Sequence, residues 1–311
     1  MPLISVIIPV YNGEKTIRKT IDCVLKQSFS LLEIIVINDG STDATLEIVQ
    51  SISDSRLQVF SYVNSGLSAS RNRGLVHASG EFISFIDADD LWTSDKLEDQ
   101  IKALQENPKA AVAYSWTDYI DGDDKFIKRG RHSTITGDVY TKLLLFNVLE
   151  NGSNPLIRKE AFNTICGFDE SLPAAEDWDM WLRLAAKYEF VVVPKAQILY
   201  RLSMHSMSTN LKKQEAGCLE VIERGFANPK AESLRHLKKD ALSNIYKYLT
   251  FKSLEASPDK LNRWISVGFL WNCVRYNPAV LKQHKIMLIA VLKIAFPGLY
   301  VRIQPFWKGN N

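Results

Sequence analysis

Four apolar, β-branched runs, Leu3 to Val10, Glu33 to Asn38, Leu57 to Tyr62 and Glu81 to Ile86, are separated by segments of helical spacing. This alternation specifies a largely parallel sheet covered by helices. Parallel neighbours need a crossover between them, and strands buried on both faces read as continuous apolar runs. Ile17, Ile21, Val24 and Leu25 keep the spacing of one buried helix face, and Leu46, Val49 and Ile52 keep that of another. A further run, Ala110 to Ile120, precedes a polar turn at Asp121 to Lys125 and another extended stretch. The second part is therefore expected to mix antiparallel strands with helices. With 311 residues, 46% of them hydrophobic, the chain can bury a full core.

After Ser208 the pattern changes to helices rich in Lys, Leu and aromatics, broken at Pro229, Pro258, Pro278 and Pro297. The reading is an α/β domain over residues 1–210 and a helical, basic region over 211–311. Up to Leu211 the chain holds 21 Lys and Arg against 28 Asp and Glu; from Lys212 onward the counts are 17 and 7. An acidic body suits a metal, and a basic tail suits an anionic partner such as nucleic acid or an acidic membrane surface. Ile286 to Phe296 is apolar except for Lys293, yet shorter than the roughly 20 residues that cross a bilayer. With the aromatics Tyr300, Phe306 and Trp307, it fits either an interfacial helix or one packed in a core. Cys23, Cys166, Cys218 and Cys273 are widely spaced, as reduced structural thiols are, and no basic stretch precedes the first strand. Both features fit a cytoplasmic protein, peripheral at the inner face of the membrane if the tail binds lipid.

Four segments carry chemistry. Asn38-Asp39-Gly40-Ser41-Thr42-Asp43 follows a buried strand and precedes a helical pattern, where open α/β sheets bind ligands. Asp39 can accept hydrogen bonds from a base or ribose; the alternative is a turn with Ser41, Thr42 or Asp43 capping the next helix. Asp87-Ala88-Asp89-Asp90 follows another strand. Three carboxylates in four residues repel unless screened, and hard oxygen ligands suit Mg²⁺ or Mn²⁺. The competing reading is a solvated turn with Ser94 or Asp95 capping the helix after it.

Asn64 to Gly74 leads small residues into a helix bearing Arg71 and Arg73, a pattern that favours phosphate oxygens, although surface arginines would read the same way. In Glu176-Asp177-Trp178-Asp179-Met180-Trp181-Leu182-Arg183, the residues Trp178, Trp181, Leu182 and Ala185 follow helical spacing and anchor a helix whose first turn holds Glu176 and Asp177. A carboxylate fixed in this way can act as a general base, or simply compensate the helix dipole.

Taken in order, Ser5-Val6-Ile7-Ile8-Pro9-Val10-Tyr11-Asn12, the NDGSTD loop, the arginine segment, DADD and the EDW helix resemble family 2 glycosyltransferases of the GT-A fold over roughly residues 3 to 208. The resemblance implies a GT-A α/β fold with a mostly parallel central sheet, followed by a helical C-terminal region. It also implies transfer of a sugar, with inversion, from a nucleotide diphosphate-sugar, UDP being the commoner nucleotide, to an acceptor hydroxyl of a polysaccharide, glycan or lipid-linked oligosaccharide. Pro9, Tyr11, Asn12, Asp39, Arg71 and Asp87 would bind the donor. Asp89, with Asp87, would hold Mn²⁺ or Mg²⁺. Asp177 would be the catalytic base, with Glu176 and Trp178 on the acceptor side, and no nucleic acid partner is expected. Many relatives carry a histidine soon after a Tyr-Arg pair; here Tyr200-Arg201-Leu202 is followed by Ser203, which leaves His205 a weak second metal ligand.

A nucleotidyltransferase would also need a nucleotide pocket and metal-binding carboxylates, but has no use for the EDW helix. A nucleotide-sugar-binding protein without turnover is the non-catalytic alternative. A dinucleotide oxidoreductase is disfavoured, because the loop after the first strand, Tyr11-Asn12-Gly13-Glu14-Lys15, lacks G-x-G-x-x-G.

Overall fold

The four apolar runs form the parallel half of one nine-stranded sheet. A computed structural model describes residues 3–202, 209–255 and 262–295. In chain order the first half runs β1 (Ile4–Val10), α1 (Ile17–Leu25), β2 (Leu32–Asn38), α2 (Thr45–Gln50), β3 (Leu57–Ser61), α3 (Leu67–His77) and β4 (Phe82–Phe85). β1 pairs in parallel with β2 and β4, and β2 with β3. Ile17, Ile21 and Val24 of α1 are fully buried against this sheet, as expected of the spacing, whereas Leu25 is half-buried. α2 stops at Gln50, so Val49 alone of the second apolar triplet is buried, and Ile52 packs from just beyond the helix end.

The second half runs β5 (Leu91–Trp92), α4 (Lys96–Glu106), β6 (Ala110–Ile120), β7 (Phe126–Arg129), α5 (Tyr140–Leu145), β8 (Leu156–Arg158), α6 (Lys159–Phe162), α7 (Glu176–Ala185) and β9 (Glu189–Arg201). The strand order is β3-β2-β1-β4-β8-β6-β9-β5, with β7 hairpinned onto β6. The sheet is thus mixed. β8 runs antiparallel to both β4 and β6, β5 runs antiparallel to β9, and β6 is parallel to β9. Because β8 reverses twice, β6 points the same way as β1 and β4, so the carboxyl ends of β1, β2, β4 and β6 share one edge.

Pro9 shapes that edge. The carbonyls of Leu3 and Ile7 accept from Phe82 and Ile86 on the β4 side, so the nitrogen of Pro9, two residues on, faces β4 with no hydrogen to donate. The β1–β4 ladder ends at Ile7↔Phe85, while β1–β2 continues to Val10↔Asn38. The chain after β4, which carries the acidic residues, is released from the sheet there. α3 lies close over β1: a Cβ on Gly74 would meet Ile7 Cγ2 at 2.3 Å, so only glycine lets the arginine-bearing helix approach.

The structure divides into two units. One comprises Met1–Leu143, Asn147–Leu172 and Glu176–Ser206 and contains the sheet. The other comprises Leu144–Phe146, Pro173–Ala175 and Met207–Asn311. Its helices are α8 (Leu211–Ala227), α9 (Lys238–Ser253), α10 (Arg263–Tyr276) and α11 (His284–Ala295). Among the described residues no helix is long and apolar enough to cross a membrane. The last part of the apolar run ending at Phe296, together with Tyr300, Phe306 and Trp307, lies outside the described residues.

Candidate active site

The acidic loop leaves β4 at the edge Pro9 opens. Its inner member is Asp90, fully buried, which accepts from Ser153 Oγ at 2.5 Å and from the Arg201 backbone N–H at 2.9 Å. Burial, then the neighbouring charges of Asp89 and Asp87, push its carboxyl well above the usual range. The Asp87 amide donates to the same Ser153 Oγ at 2.9 Å, so one hydroxyl fixes both ends of the loop. Asp89 differs from its neighbours: its carboxylate accepts no hydrogen bond from another described residue, and burial followed by the charge of Asp87 raises it to about 6. The turn of the alternative reading is present, closed by the Asp90 amide on the Asp87 carbonyl at 3.0 Å, and Asp95 stands at the N-cap position of α4, but its side chain accepts from Thr93 Oγ1 at 2.6 Å and makes no cap to the helix.

Arg71 sits beneath the loop, fully buried. Its Nη2 donates to Asp87 at 2.8 Å and its Nη1 to Glu176 at 2.9 Å. Burial alone would lower it, but the surrounding charges of Asp87, Glu176 and Asp177 outweigh that and hold the guanidinium charged. Its Nε has no partner among the described residues. A Cβ on Gly152 would come within 2.4 Å of Nη2, so the backbone there passes directly against the guanidinium.

Glu176 and Asp177 open α7 after Ala175, whose φ of +60° is a left-handed conformation costing a residue with a Cβ roughly 1 kcal/mol. Trp178, Trp181, Leu182 and Ala185 are buried as their spacing requires, and the Trp178 indole donates to the Leu143 carbonyl at 2.8 Å. Trp178 therefore anchors the helix instead of standing free beside the carboxylates. Asp177 Oδ1 accepts from the Trp178 amide at 2.7 Å, and Asn147 Nδ2 lies 3.4 Å from Oδ2. Burial, then the charge of Glu176, raise Asp177 to about 7 against the lowering effect of Arg71.

On the β1–β2 side, Asp39 is buried and held internally. Its carboxylate accepts from the Ser65 and Gly66 amides, the latter at 2.8 Å, and from Arg73 at 2.9 Å. The amides just before α3 thus face Asp39. Asn12, exposed at φ +51°, accepts from the Thr42 amide at 2.8 Å, and Tyr11 beside it is exposed. Asp43 binds the Thr45 amide at 3.0 Å, one of the turn contacts the sequence allowed for. His205 lies outside the described residues.

The donor set fits a hard divalent cation. Asp89 offers a carboxylate that no other described residue hydrogen-bonds, and the neighbouring like charges are relieved by positive charge at that point. No group of three or more His, Cys, Asp or Glu that could hold a metal occurs among the described residues. Mg²⁺-type sites commonly take one or two protein carboxylates and complete their shell with substrate phosphates and water, which suits Asp89 with Asp87.

One contributing segment gives little signal in sequence. In Asn147-Val148-Leu149-Glu150-Asn151-Gly152-Ser153-Asn154, Asn147 reaches Asp177, Gly152 abuts Arg71, and Ser153 holds Asp87 and Asp90. Asn151 and Asn154 tie the same segment to Thr117 and Ser115 of β6. Arg201, whose Nε donates to the Asp89 carbonyl at 2.7 Å, is the other unanticipated member. Its only sequence signal was its place in the Tyr-Arg pair.

Residues 5–253 match the family described as glycosyltransferase like family 2. An uncharacterized glycosyltransferase of Rickettsia typhi is 34% identical over 224 residues, covering 69% of this chain and 70% of that protein. Chondroitin synthase of Pasteurella multocida is 26% identical over 267 residues, 82% of this chain. The chain spans only 26% of that synthase and 27% of a Rickettsia bellii glycosyltransferase. Among solved structures, a mannosyltransferase of Pyrobaculum calidifontis in complex with GDP-Man and Mn²⁺ aligns with a TM-score of 0.60 at 18% identity, over 96% of this chain and 88% of that one. S. aureus TarS 1-349 in complex with UDP-GlcNAc aligns at 0.57 and 18%, over 90% and 92%. These likenesses identify the GT-A fold.

Proposed function

This chain belongs to the glycosyltransferase like family 2 and is a glycosyltransferase, and from that premise we propose that it transfers one sugar, with inversion, from a UDP-sugar to an acceptor hydroxyl in polysaccharide or glycan synthesis. In this reading residues 1–210 form the catalytic region and residues 211–311 a helical, basic appendage.

The observation that carries the reading is the Arg71 bridge. One buried guanidinium joins Asp87 of the acidic loop to Glu176, which precedes Asp177, so the carboxylates on the donor side and the candidate base are fixed around one point. A nucleophile and a leaving group can then be held in line. Asp177, raised to about 7, is matched to accepting a proton near neutral pH. The acceptor oxygen gives its proton to Asp177 and forms the new bond to the anomeric carbon. The bond from that carbon to the diphosphate oxygen breaks on the opposite face, and the nucleoside diphosphate leaves with the electron pair. Mn²⁺ or Mg²⁺, held by Asp89 and Asp87, would offset the charge on the departing diphosphate. Pro9, Tyr11 and Asn12 line the nucleotide side in this reading, and Asp39 acts through its hold on the Ser65–Gly66 turn and Arg73.

The test is to incubate the full chain with UDP- and GDP-sugars, with and without Mn²⁺ and candidate glycan or lipid-linked acceptors, and to identify the released nucleotide. Acceptor-dependent release of UDP and an inverted linkage by NMR is expected. Release of pyrophosphate, or donor binding without turnover against every acceptor, would overturn it.

A further inference from the structure

α10 is apolar on two opposite sides. Ser266, Phe269 and Cys273 face inward, where Ser243 of α9 donates to the Cys273 carbonyl at 2.8 Å. On the opposite stripe, at i, i+3 and i+7, Trp264, Val267 and Trp271 are 83%, 41% and 67% exposed. Arg275 continues the stripe and Arg263 precedes it. α11 repeats the arrangement: Met287 and Ala290 are buried, while Leu288 and Val291 are 52% and 50% exposed. Two bare tryptophans on one helical stripe are more than the scattered apolar exposure of an ordinary surface.

Charge selects what would cover this stripe. From Lys260 to the end of the chain there are eight Lys and Arg and no Asp or Glu; Arg263, Arg275, Lys285 and Lys293 lie on α10 and α11 themselves. A second copy would bring cation against cation, since a two-fold contact sets a patch against itself. An anionic bilayer surface satisfies both features, because tryptophan rings favour the headgroup level and Lys and Arg are drawn to anionic headgroups. The 14 residues of α10 rise about 21 Å, short of the roughly 30 Å hydrocarbon core, so such a helix lies along the interface.

We propose that the exposed stripe of α10, carried by Trp264, Val267 and Trp271 and flanked by Arg263 and Arg275, seats this protein on an anionic lipid surface. The inference moves the expected membrane contact upstream of Ile286–Phe296, and it stands independently of the catalytic reading.

The full chain is sedimented with phosphatidylcholine vesicles, with and without phosphatidylglycerol, at low and high salt. Tryptophan quenching by brominated lipid is read in parallel. Binding to the anionic vesicles that weakens with salt is expected, with ring quenching. The Trp264→Ser/Trp271→Ser variant, its fold checked by circular dichroism, should bind at least about ten-fold more weakly, as the loss of two rings that the lipid would cover implies. Its transfer to a soluble acceptor should be unchanged. A chain that stays in the supernatant at low salt, unquenched rings, equal binding by the variant, or a vesicle-free dimer that the variant dissolves would each overturn the proposal.

Discussion

Arg71 and Glu176, 105 positions apart in the chain, meet at 2.9 Å, and the same guanidinium holds Asp87 at 2.8 Å. The contact ties the loop after β4 to the first turn of α7. Both carboxylates lose a partner if the arginine changes, and neither can be fully solvated where it lies.

Arg71→Lys should therefore be costly despite keeping the charge. An ammonium lacks the planar fork that serves two carboxylates at once, and breaking a buried pair typically costs about 3–5 kcal/mol. The expected outcome is a fall in melting temperature together with weakened donor binding. A variant that melts and binds UDP like the wild type would show that the bridge does not organise the site.

Asp177→Asn should keep donor binding, since the amide preserves shape, and lose on the order of 10² to 10⁴ in transfer rate. The pH profile supplies the sign. The base works only when ionised, so with a carboxyl at about 7 the wild-type rate should fall roughly ten-fold per unit below that pH and level off above it. Residual activity of the variant should lack this limb. Collapse of donor affinity with turnover of bound donor retained would place the base elsewhere.

Asn147→Asp separates two roles of one side chain. Asn147 Oδ1 accepts from the Leu149 and Glu150 amides, both at 3.2 Å, which leaves Nδ2 toward Asp177. Aspartate keeps the turn but sets a further acid beside a carboxyl already facing Glu176 and Asp87, with Arg71 as the opposing charge. The acidic limb should move to higher pH and the rate at pH 6.5 should drop, with little change in melting temperature. An unmoved limb would reduce Asn147 to a turn former.

Asp89→Ala should abolish metal-supported transfer while leaving the secondary structure intact, because the Asp89 carboxylate accepts no hydrogen bond from another described residue and the carbonyl that Arg201 Nε binds is kept in the variant. Calorimetric titration of the donor should lose its Mn²⁺ dependence. Wild-type rates at matched metal concentration would remove Asp89 from the metal site.

Much of the fold was legible because its signals are local. Parallel strands buried on both faces must be apolar at nearly every position, so β1, β2 and β4 stand out as runs, and β6 matched its expected span from Ala110 to Ile120. β8 has three residues and takes its place from pairing with β4 and β6, which no local pattern announces. α10 was unreadable for the opposite reason: with apolar residues on both sides, periodicity does not say which face is bare.

The sequence by itself determined which chemical groups are present and where they leave the sheet: the acids after β4, the arginines on α3, the two carboxylates opening α7. Each is a short-range pattern, a strand end or a helix turn. Only the tertiary structure decided their partners. It buried Arg71 between Asp87 and Glu176, drew Asp39 onto the amides before α3, and made the polar segment Asn147 to Asn154 the brace of the acidic loop and of Asp177. The physical reason is that hydrogen bonds and ion pairs act over a few ångströms between groups a hundred residues apart, and burial, which sets whether a carboxyl stays charged, is a property of the packed whole.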